Sequence, residues 1–281
     1  MTFGPLVSCG WLDAHLGEPG LVVLDASWYL PTSGRDAAQE YRERHIPGAV
    51  FFDLDRASDP ESPWPHMFPG AESFSRYVGS LGVGLAARVV VYDGSGANLS
   101  AARAWWMLRA VGHRDVRVLD GGLVKWCAEG RATWSGTESP AAATLPPSLR
   151  GHDIATRDEV RAALASGRAQ VVDVRAADRF LGTAPEPRPG VPSGHMPGSV
   201  NLPYTDLHAA DGTLLDPVEL RRRLAGAGVD PHRPVIATCG SGTSACALLL
   251  ALEVLGTGGH RLYDGAWTEW AGSGLPVEAG A

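Results

Sequence analysis

The 281-residue chain is poor in lysine, in cysteine and in long apolar runs. Lys125 is its only lysine, and every other basic residue is an arginine. The net charge of −7 is not offset by a basic patch, which argues against nucleic acid as the main partner. The four cysteines form no CxxC pair and no paired His–Cys pattern, so a zinc site is not expected.

The amino-terminal segment and the apolar runs exclude two further classes. The first residues carry neither a basic start nor a continuous apolar stretch, so we expect no signal peptide. No apolar run approaches the length of a membrane span. These absences favour a soluble, cytoplasmic protein with reduced thiols. The length allows one large domain or two ordinary ones, and a hydrophobic fraction of 44% is enough to build their cores.

The most informative segment that is present runs from Val235 to Gly256. A β-branched run ends at Cys239, a Gly-Ser-Gly loop follows, and an apolar helix stopped by Gly256 comes next. Backbone N–H groups and the helix dipole converge where such a strand meets such a helix, which favours a thiolate. The thiolate is the nucleophilic form of cysteine, so the segment predicts a reactive sulfur site. The alternative is a buried structural cysteine in an ordinary turn.

The two halves of the chain repeat one pattern, with the same segments in the same order. This indicates a duplicated domain rather than a single large one. The matching segments are LVVLDASW at 21–28 and QVVDVRAA at 170–177, HIPG at 45–48 and HMPG at 195–198, RVVVYDGSG at 88–96 and PVIATCGSG at 234–242, and VRVLDGGLVKW at 116–126 and GHRLYDGAWTEW at 259–270.

Each half alternates short apolar runs with helical segments, which predicts an α/β fold around a central, mainly parallel sheet flanked by helices. Helices are predicted over 101–110, 157–166 and 217–226. Residues 135–150 are rich in Ser, Ala and Pro and lack a period, so they are predicted to be a linker. The predicted domains are therefore 1–134 and 151–281.

These features together resemble the two-domain rhodanese-like sulfurtransferases over essentially the whole chain. The resemblance rests on the two His-x-Pro-Gly segments, on the Asp-Gly-x-x-x-x-Trp endings, and on a cysteine loop in the second half only. It implies tandem rhodanese-like domains. In the first half Asp93 stands where the second has Cys239, and a carboxylate cannot carry a persulfide. The first domain is therefore expected to be catalytically silent and to close the active-site cleft.

Within that family, the loop after Cys239 is similar to that of the members that use 3-mercaptopyruvate. Thiosulfate-specific members carry basic residues there, whereas residues 240–244 are uncharged. The resemblance implies that Arg179 and Arg188 hold the substrate carboxylate and keto oxygen, which suits the planar fork of a guanidinium. The alternative for both is an exposed arginine in an arginine-rich chain.

The resemblance also implies a proton relay of Ser241, His66 and Asp55. Loss of sulfur from 3-mercaptopyruvate leaves the enolate of pyruvate, and a hydroxyl backed by an oriented imidazole can protonate it. The alternatives are a helix-capping role for Ser241 and an exposed loop position for His66.

The implied reaction is a ping-pong transfer of sulfane sulfur. The persulfide on the nucleophilic cysteine is expected to be cradled by the loop and passed to cyanide, a small thiol or a thioredoxin-like protein. No metal or organic cofactor is called for, and a monomer is expected. The expected cradle residues are Gly240, Gly242, Thr243 and Ser244.

Three other functions stay open at this point. A thiosulfate sulfurtransferase would use the same cysteine and the same fold. A cysteine phosphatase is disfavoured because the sixth residue after Cys239 is Ala245, where that chemistry needs an arginine. A persulfide carrier fed by a protein partner would not need the pair Arg179 and Arg188.

Overall fold

The computed structural model describes residues 4–148 and 153–280. The last two residues of the predicted linker, 149 and 150, lie outside the described residues, as do 151 and 152 at the start of the predicted second domain, residues 1–3 and residue 281. Within the described ranges, no helix is both long enough and apolar enough to cross a membrane.

The chain divides into two compact units that follow the two halves except for two short segments. Residues 61–67 belong with the second unit, and residues 209–214 belong with the first. The predicted domains were continuous stretches of the chain, whereas each unit defined by contacts includes one short segment from the other half. The first unit comprises Met1–Pro60, Phe68–Arg150 and Ala209–Leu214, and the second comprises Glu61–Met67, Gly151–His208 and Leu215–Ala281.

The first unit is built on a five-stranded, all-parallel sheet in the order β1-β5-β4-β2-β3. Its strands are β1 Leu6–Val7, β2 Leu21–Asp25, β3 Val50–Phe51, β4 Arg88–Tyr92 and β5 Val116–Leu119. Its helices are α1 Cys9–His15, α2 Ala37–Glu43, α3 Ala71–Ser80, α4 Leu99–Ala110 and α5 Gly122–Ala128, with a 3-10 turn at Pro31–Ser33.

The second unit has the same sheet order, β6-β10-β9-β7-β8, and its strands are again parallel. The strands are β6 Ile154–Ala155, β7 Gln170–Asp173, β8 Val200–Asn201, β9 Val235–Thr238 and β10 Arg261–Tyr263. The helices are α6 Arg157–Ser166, α7 Ala177–Phe180, α8 Pro217–Gly226, α9 Ala245–Val254 and α10 Ala266–Gly272, with a 3-10 turn at Tyr204–Leu207.

The predicted α/β class and the duplication are confirmed by these two identical strand orders. The middle strands are buried on both faces, which explains why they read as continuous apolar runs. Helix starts follow from local capping: Thr156 and Glu159 form a reciprocal capping box at α6, and the Asp216 carboxylate accepts from two amides of α8. In each unit the core lies between the sheet and its helices, around Trp126 in the first and Trp267 in the second.

Candidate active site

Cys239 lies where strand β9 ends and the loop 239–244 begins, as the sequence predicts. Its side chain is almost fully buried, with 1% of the residue exposed. Helix α9 starts immediately after the loop, and every residue from Ala245 to Leu252 is buried. The backbone amides of Cys246 and Ala247 donate to carbonyls within the loop, which closes the turn into the helix. The cysteine is therefore presented by a rigid strand and a buried helix.

Helix α10 fixes the backbone of the loop. The amide of Trp267 donates to the Cys239 carbonyl at 2.9 Å, and the amide of Thr268 donates to the Gly240 carbonyl at 3.2 Å. The Thr268 hydroxyl donates to the same Gly240 oxygen at 2.6 Å. These three bonds hold the nucleophile's own peptide group and the next one in place.

Gly242 is required by the shape of the loop. Its φ of +76° lies in the left-handed region, and a Cβ atom there would lie 2.9 Å from both the carbonyl oxygen and a carboxylate oxygen of Asp264. Any side chain at this position would therefore clash with Asp264, and the residue would also be strained by its left-handed backbone. Ser244, the last cradle residue predicted, stands directly before α9, and within the described part of the chain its hydroxyl makes no capping bond to that helix.

Two hydroxyls of the loop meet one imidazole. The Nδ1 atom of His66 lies 3.2 Å from the Ser241 hydroxyl oxygen and 3.2 Å from that of Thr243. His66 is 7% exposed, so the alternative of an exposed loop histidine is wrong. The contact between Ser241 and His66 that the relay needs is present, and the second hydroxyl, from Thr243, was not anticipated.

Asp55, the third member of the predicted relay, belongs to the first unit. There the indole N–H of Trp28 donates to its carboxylate at 3.3 Å, and its own amide donates to Asp53. Its part in a relay stays a prediction.

Arg179 lies against the loop beside Gly240. A Cβ atom on Gly240 would be 3.0 Å from a terminal nitrogen of the Arg179 guanidinium. The absence of a side chain at Gly240 therefore lets the guanidinium approach the loop closely. Arg188 is half-buried in the segment that follows α7. The structure thus places Arg179 next to the nucleophile loop, and the role of Arg188 in binding stays a prediction.

Glu186 is a site residue that sequence reasoning missed. Its side chain is only 4% exposed, and its two oxygens accept from both Arg179 and Arg175. Arg175 in turn pairs with Asp173 and lies over the ring of Trp267. The only signal in the sequence was that Glu186 lies between two prolines in the segment that carries the two predicted arginines. Nothing in that pattern indicates that its side chain is buried.

The charges of this network are held by close pairing. Burial by itself lowers the pKa of the Arg175 guanidinium, but the carboxylates of Asp173 and Glu186 outweigh burial and raise it above its ordinary value. The positive charge of Arg175 therefore persists at any working pH.

The corresponding loop of the first unit is filled by a carboxylate. Asp93 is fully buried and accepts hydrogen bonds from the amide and hydroxyl of Ser95, from the hydroxyl of Ser100 and from the amide of Ala101. The Asp93 side chain thus occupies four hydrogen-bond donors around this position.

Comparison with known proteins gives consistent similarities over both halves. A family model described as a rhodanese-like domain matches residues 8–129 and 156–273. The 3-mercaptopyruvate sulfurtransferase of Homo sapiens is 48% identical over 94% of this chain and 91% of its own length. The thiosulfate sulfurtransferase of Bos taurus is 44% identical over 96% of this chain and 93% of its own. The crystal structure of SseA from Escherichia coli, a 3-mercaptopyruvate sulfotransferase, superposes with a TM-score of 0.86 at 38% identity, covering 94% of this chain and 99% of that one.

Proposed function

The chain belongs to the rhodanese-like family and is a sulfurtransferase of the 3-mercaptopyruvate type, and we propose that Cys239 carries the sulfur as a persulfide. The observation that carries the proposal is the loop itself. It joins a buried cysteine at a strand end to a hydroxyl, Ser241, that is in contact with the imidazole of His66.

The donor is held by its carboxylate and keto oxygen. Arg179, which lies against Gly240, and Arg188 supply the guanidinium groups for this. A guanidinium binds a carboxylate through two parallel hydrogen bonds, so it orients the donor as well as attracting it. Because Glu186 already engages Arg179, the donor carboxylate shares that guanidinium with a buried carboxylate.

The first half-reaction breaks the carbon–sulfur bond of the donor. The Cys239 thiolate attacks the donor's sulfur, a sulfur–sulfur bond forms, and the electron pair of the broken bond leaves with the carbon as the enolate of pyruvate. Ser241, in contact with His66, supplies the proton that turns the enolate into pyruvate. Asp55 is proposed as the carboxylate that orients the imidazole.

The second half-reaction regenerates the thiolate. Cyanide, a small thiol or a thioredoxin-like protein attacks the outer sulfur, and the sulfur–sulfur bond breaks with its electron pair returning to Cys239. The loop residues Gly240, Gly242, Thr243 and Ser244 enclose the persulfide between the two steps. The first unit takes no covalent part, because Asp93 stands at the position of the cysteine.

Thiosulfate is the second candidate donor, favoured by the similarity to the Bos taurus enzyme. It is disfavoured here because residues 240–244 bring no positive charge to meet a dianion. We further propose that the protein works in a reducing compartment such as the cytoplasm, since none of its four cysteines is in a disulfide and the nucleophile must stay reduced. We also propose that it works as a monomer.

The test is steady-state turnover with 3-mercaptopyruvate and with thiosulfate, side by side, with cyanide as acceptor and Cys239→Ser as the blank. We expect a strong preference for 3-mercaptopyruvate that the substitution abolishes. Preference for thiosulfate would overturn the proposed donor and the need for a proton relay. Failure of the intact protein to turn over either donor would favour a carrier loaded by a protein partner.

A further inference from the structure

His66 reaches the nucleophile loop on a short segment, residues 61–67, that the chain contributes from its first half to the second unit. The backbone at His66 has a φ of +60°, which is strained for a residue with a side chain. Such strain persists only where the surroundings over-determine the conformation. We therefore expect contacts that hold the segment in addition to those of the imidazole.

Trp64 makes such a contact, two residues before His66. Its indole ring lies on Gly272, the last residue of α10. A Cβ atom on Gly272 would lie 2.7 Å from the Cη2 atom of the indole and 2.9 Å from its Cζ3 atom, so only glycine leaves room for the ring. Pro65 follows Trp64 and restricts its backbone to extended conformations, so the connection between the indole and the histidine is short and stiff.

Helix α10 therefore contacts chain neighbours of both partners of the proton transfer, Ser241 and His66. Its first turn, through Trp267 and Thr268, binds the carbonyls of Cys239 and Gly240, and its last residue seats Trp64. One short helix thus contacts both the nucleophile loop and the segment that carries the imidazole.

We propose that Trp64 is a positioning residue. The packing of its indole on Gly272 fixes the position of His66 relative to Ser241. The inference rests on the proposed function, because it matters only if Ser241 and His66 deliver the proton. It deepens that function by assigning to Trp64 and Gly272 a share in pyruvate formation, although neither touches the reacting atoms.

The central test variant is Gly272→Ala. Alanine is the better helix former, and no unusual φ forbids it there, so a purely local effect would be neutral or stabilising. The added methyl group must instead displace the indole. We expect pyruvate release in a single turnover to slow by about tenfold or more, since displacements of about 1 Å in active sites have effects of up to about a hundredfold. Discharge of the preformed persulfide by cyanide needs no proton relay and is expected to be unchanged.

Three further variants make the result specific. Gly226→Ala is the matched control, because Gly226 also ends a helix of the same unit and a Cβ atom there meets nothing within 4 Å. Trp64→Phe removes the part of the indole that reaches Gly272, so the double variant with Gly272→Ala is expected to recover pyruvate release. Trp64→Ala unseats the segment without crowding the helix and is expected to slow pyruvate release alone.

The outcomes separate this inference from the proposed function. Equal behaviour of Gly272→Ala and Gly226→Ala, equal slowing of both half-reactions, or no rescue by Trp64→Phe would overturn the positioning role. Ser241→Ala serves as the reference for the relay, with slowing of pyruvate release only. If Ser241→Ala leaves pyruvate release unchanged, the relay itself is wrong, and the inference falls with it.

Discussion

At the scale of single residues, the three buried cysteines differ in ways that follow from their surroundings. Cys9 is packed in the first core, and burial, the largest cause, raises the pKa of its thiol to about 11, which suppresses the thiolate. Cys246 is buried on α9, with its sulfur 3.5 Å from the Gly242 carbonyl, in agreement with the expectation of a core role. Cys239 alone stands at a strand end before a glycine-rich loop.

Replacing Arg188 by alanine tests the binding of the donor carboxylate. A charged hydrogen bond contributes about 1.5 to 3 kcal/mol, so we expect the KM for 3-mercaptopyruvate to rise by about ten- to a hundredfold. Transfer from the persulfide to cyanide should change little. Arg221→Ala is the control, because Arg221 is an exposed arginine of α8. An unchanged KM would remove Arg188 from the binding site.

Asp25 gives a prediction about pH. Burial is the main cause that raises the pKa of this carboxyl to about 6, from an ordinary value of 3.8. The folded state therefore keeps a proton that the unfolded state releases, and the stability linked to it is present below pH 4 and lost as the pH rises through 6. Asp25→Asn removes this titration.

The measurement is urea unfolding of Asp25→Asn and wild type in parallel, from about pH 4.5 to about pH 7. The free energy of unfolding of the variant, minus that of wild type, should rise with pH, by about 2 to 3 kcal/mol over the full titration. A difference that stays flat or falls with pH would contradict the raised pKa.

At the scale of elements, the sequence was sufficient where a local pattern decides the structure. The predicted helices 157–166 and 217–226 have those bounds in α6 and α8. Helix α9 ends at Val254, just before Gly256, whose φ of +72° is the left-handed conformation that commonly ends helices. The family resemblance implied that His66 meets Ser241, but no local pattern predicts that residues 61–67 pack with the second unit, since the contact between Trp64 and Gly272 joins distant parts of the chain.

The nucleophile loop itself is tested by Gly242→Ala. We expect a loss of stability of about 1 to 3 kcal/mol from the left-handed backbone, a further cost from the contact with Asp264, and strongly reduced sulfur transfer. Gly256→Ala is the matched control, because Gly256 has a φ of +72° and open space around it. Thermal unfolding and turnover of both variants are the measurements. If Gly242→Ala loses no more activity than Gly256→Ala, the loop tolerates a side chain and this prediction is wrong.

At the scale of the whole molecule, one fold has been used twice with different results. Both sheets have the same strand order. The duplication predicted from the paired segments is confirmed by the family model, which matches both halves of the chain. The difference lies in what fills the loop after the fourth strand of each unit. In the first unit the Asp93 carboxylate takes four hydrogen bonds there, and in the second the loop carries a thiol.

This division predicts that activity cannot be moved between the units by one substitution. Asp93→Cys in a Cys239→Ser background should remain inactive with 3-mercaptopyruvate, since the first unit has no counterpart of the contact between Ser241 and His66 among the described residues. It should also lower stability, because buried donors lose their acceptor, at about 1 to 3 kcal/mol for each unsatisfied group. Turnover and thermal unfolding would be measured. Recovered turnover would contradict the silence of the first unit.

The most direct test of the central claim is to detect the persulfide. The protein is incubated with 3-mercaptopyruvate in the absence of an acceptor, and its intact mass and peptide masses are measured. We predict one added sulfur atom, on the peptide that contains Cys239, released by cyanide and missing in Cys239→Ser. Pyruvate formation with no sulfur on Cys239, or with the sulfur on Cys127 instead, would contradict the proposed route.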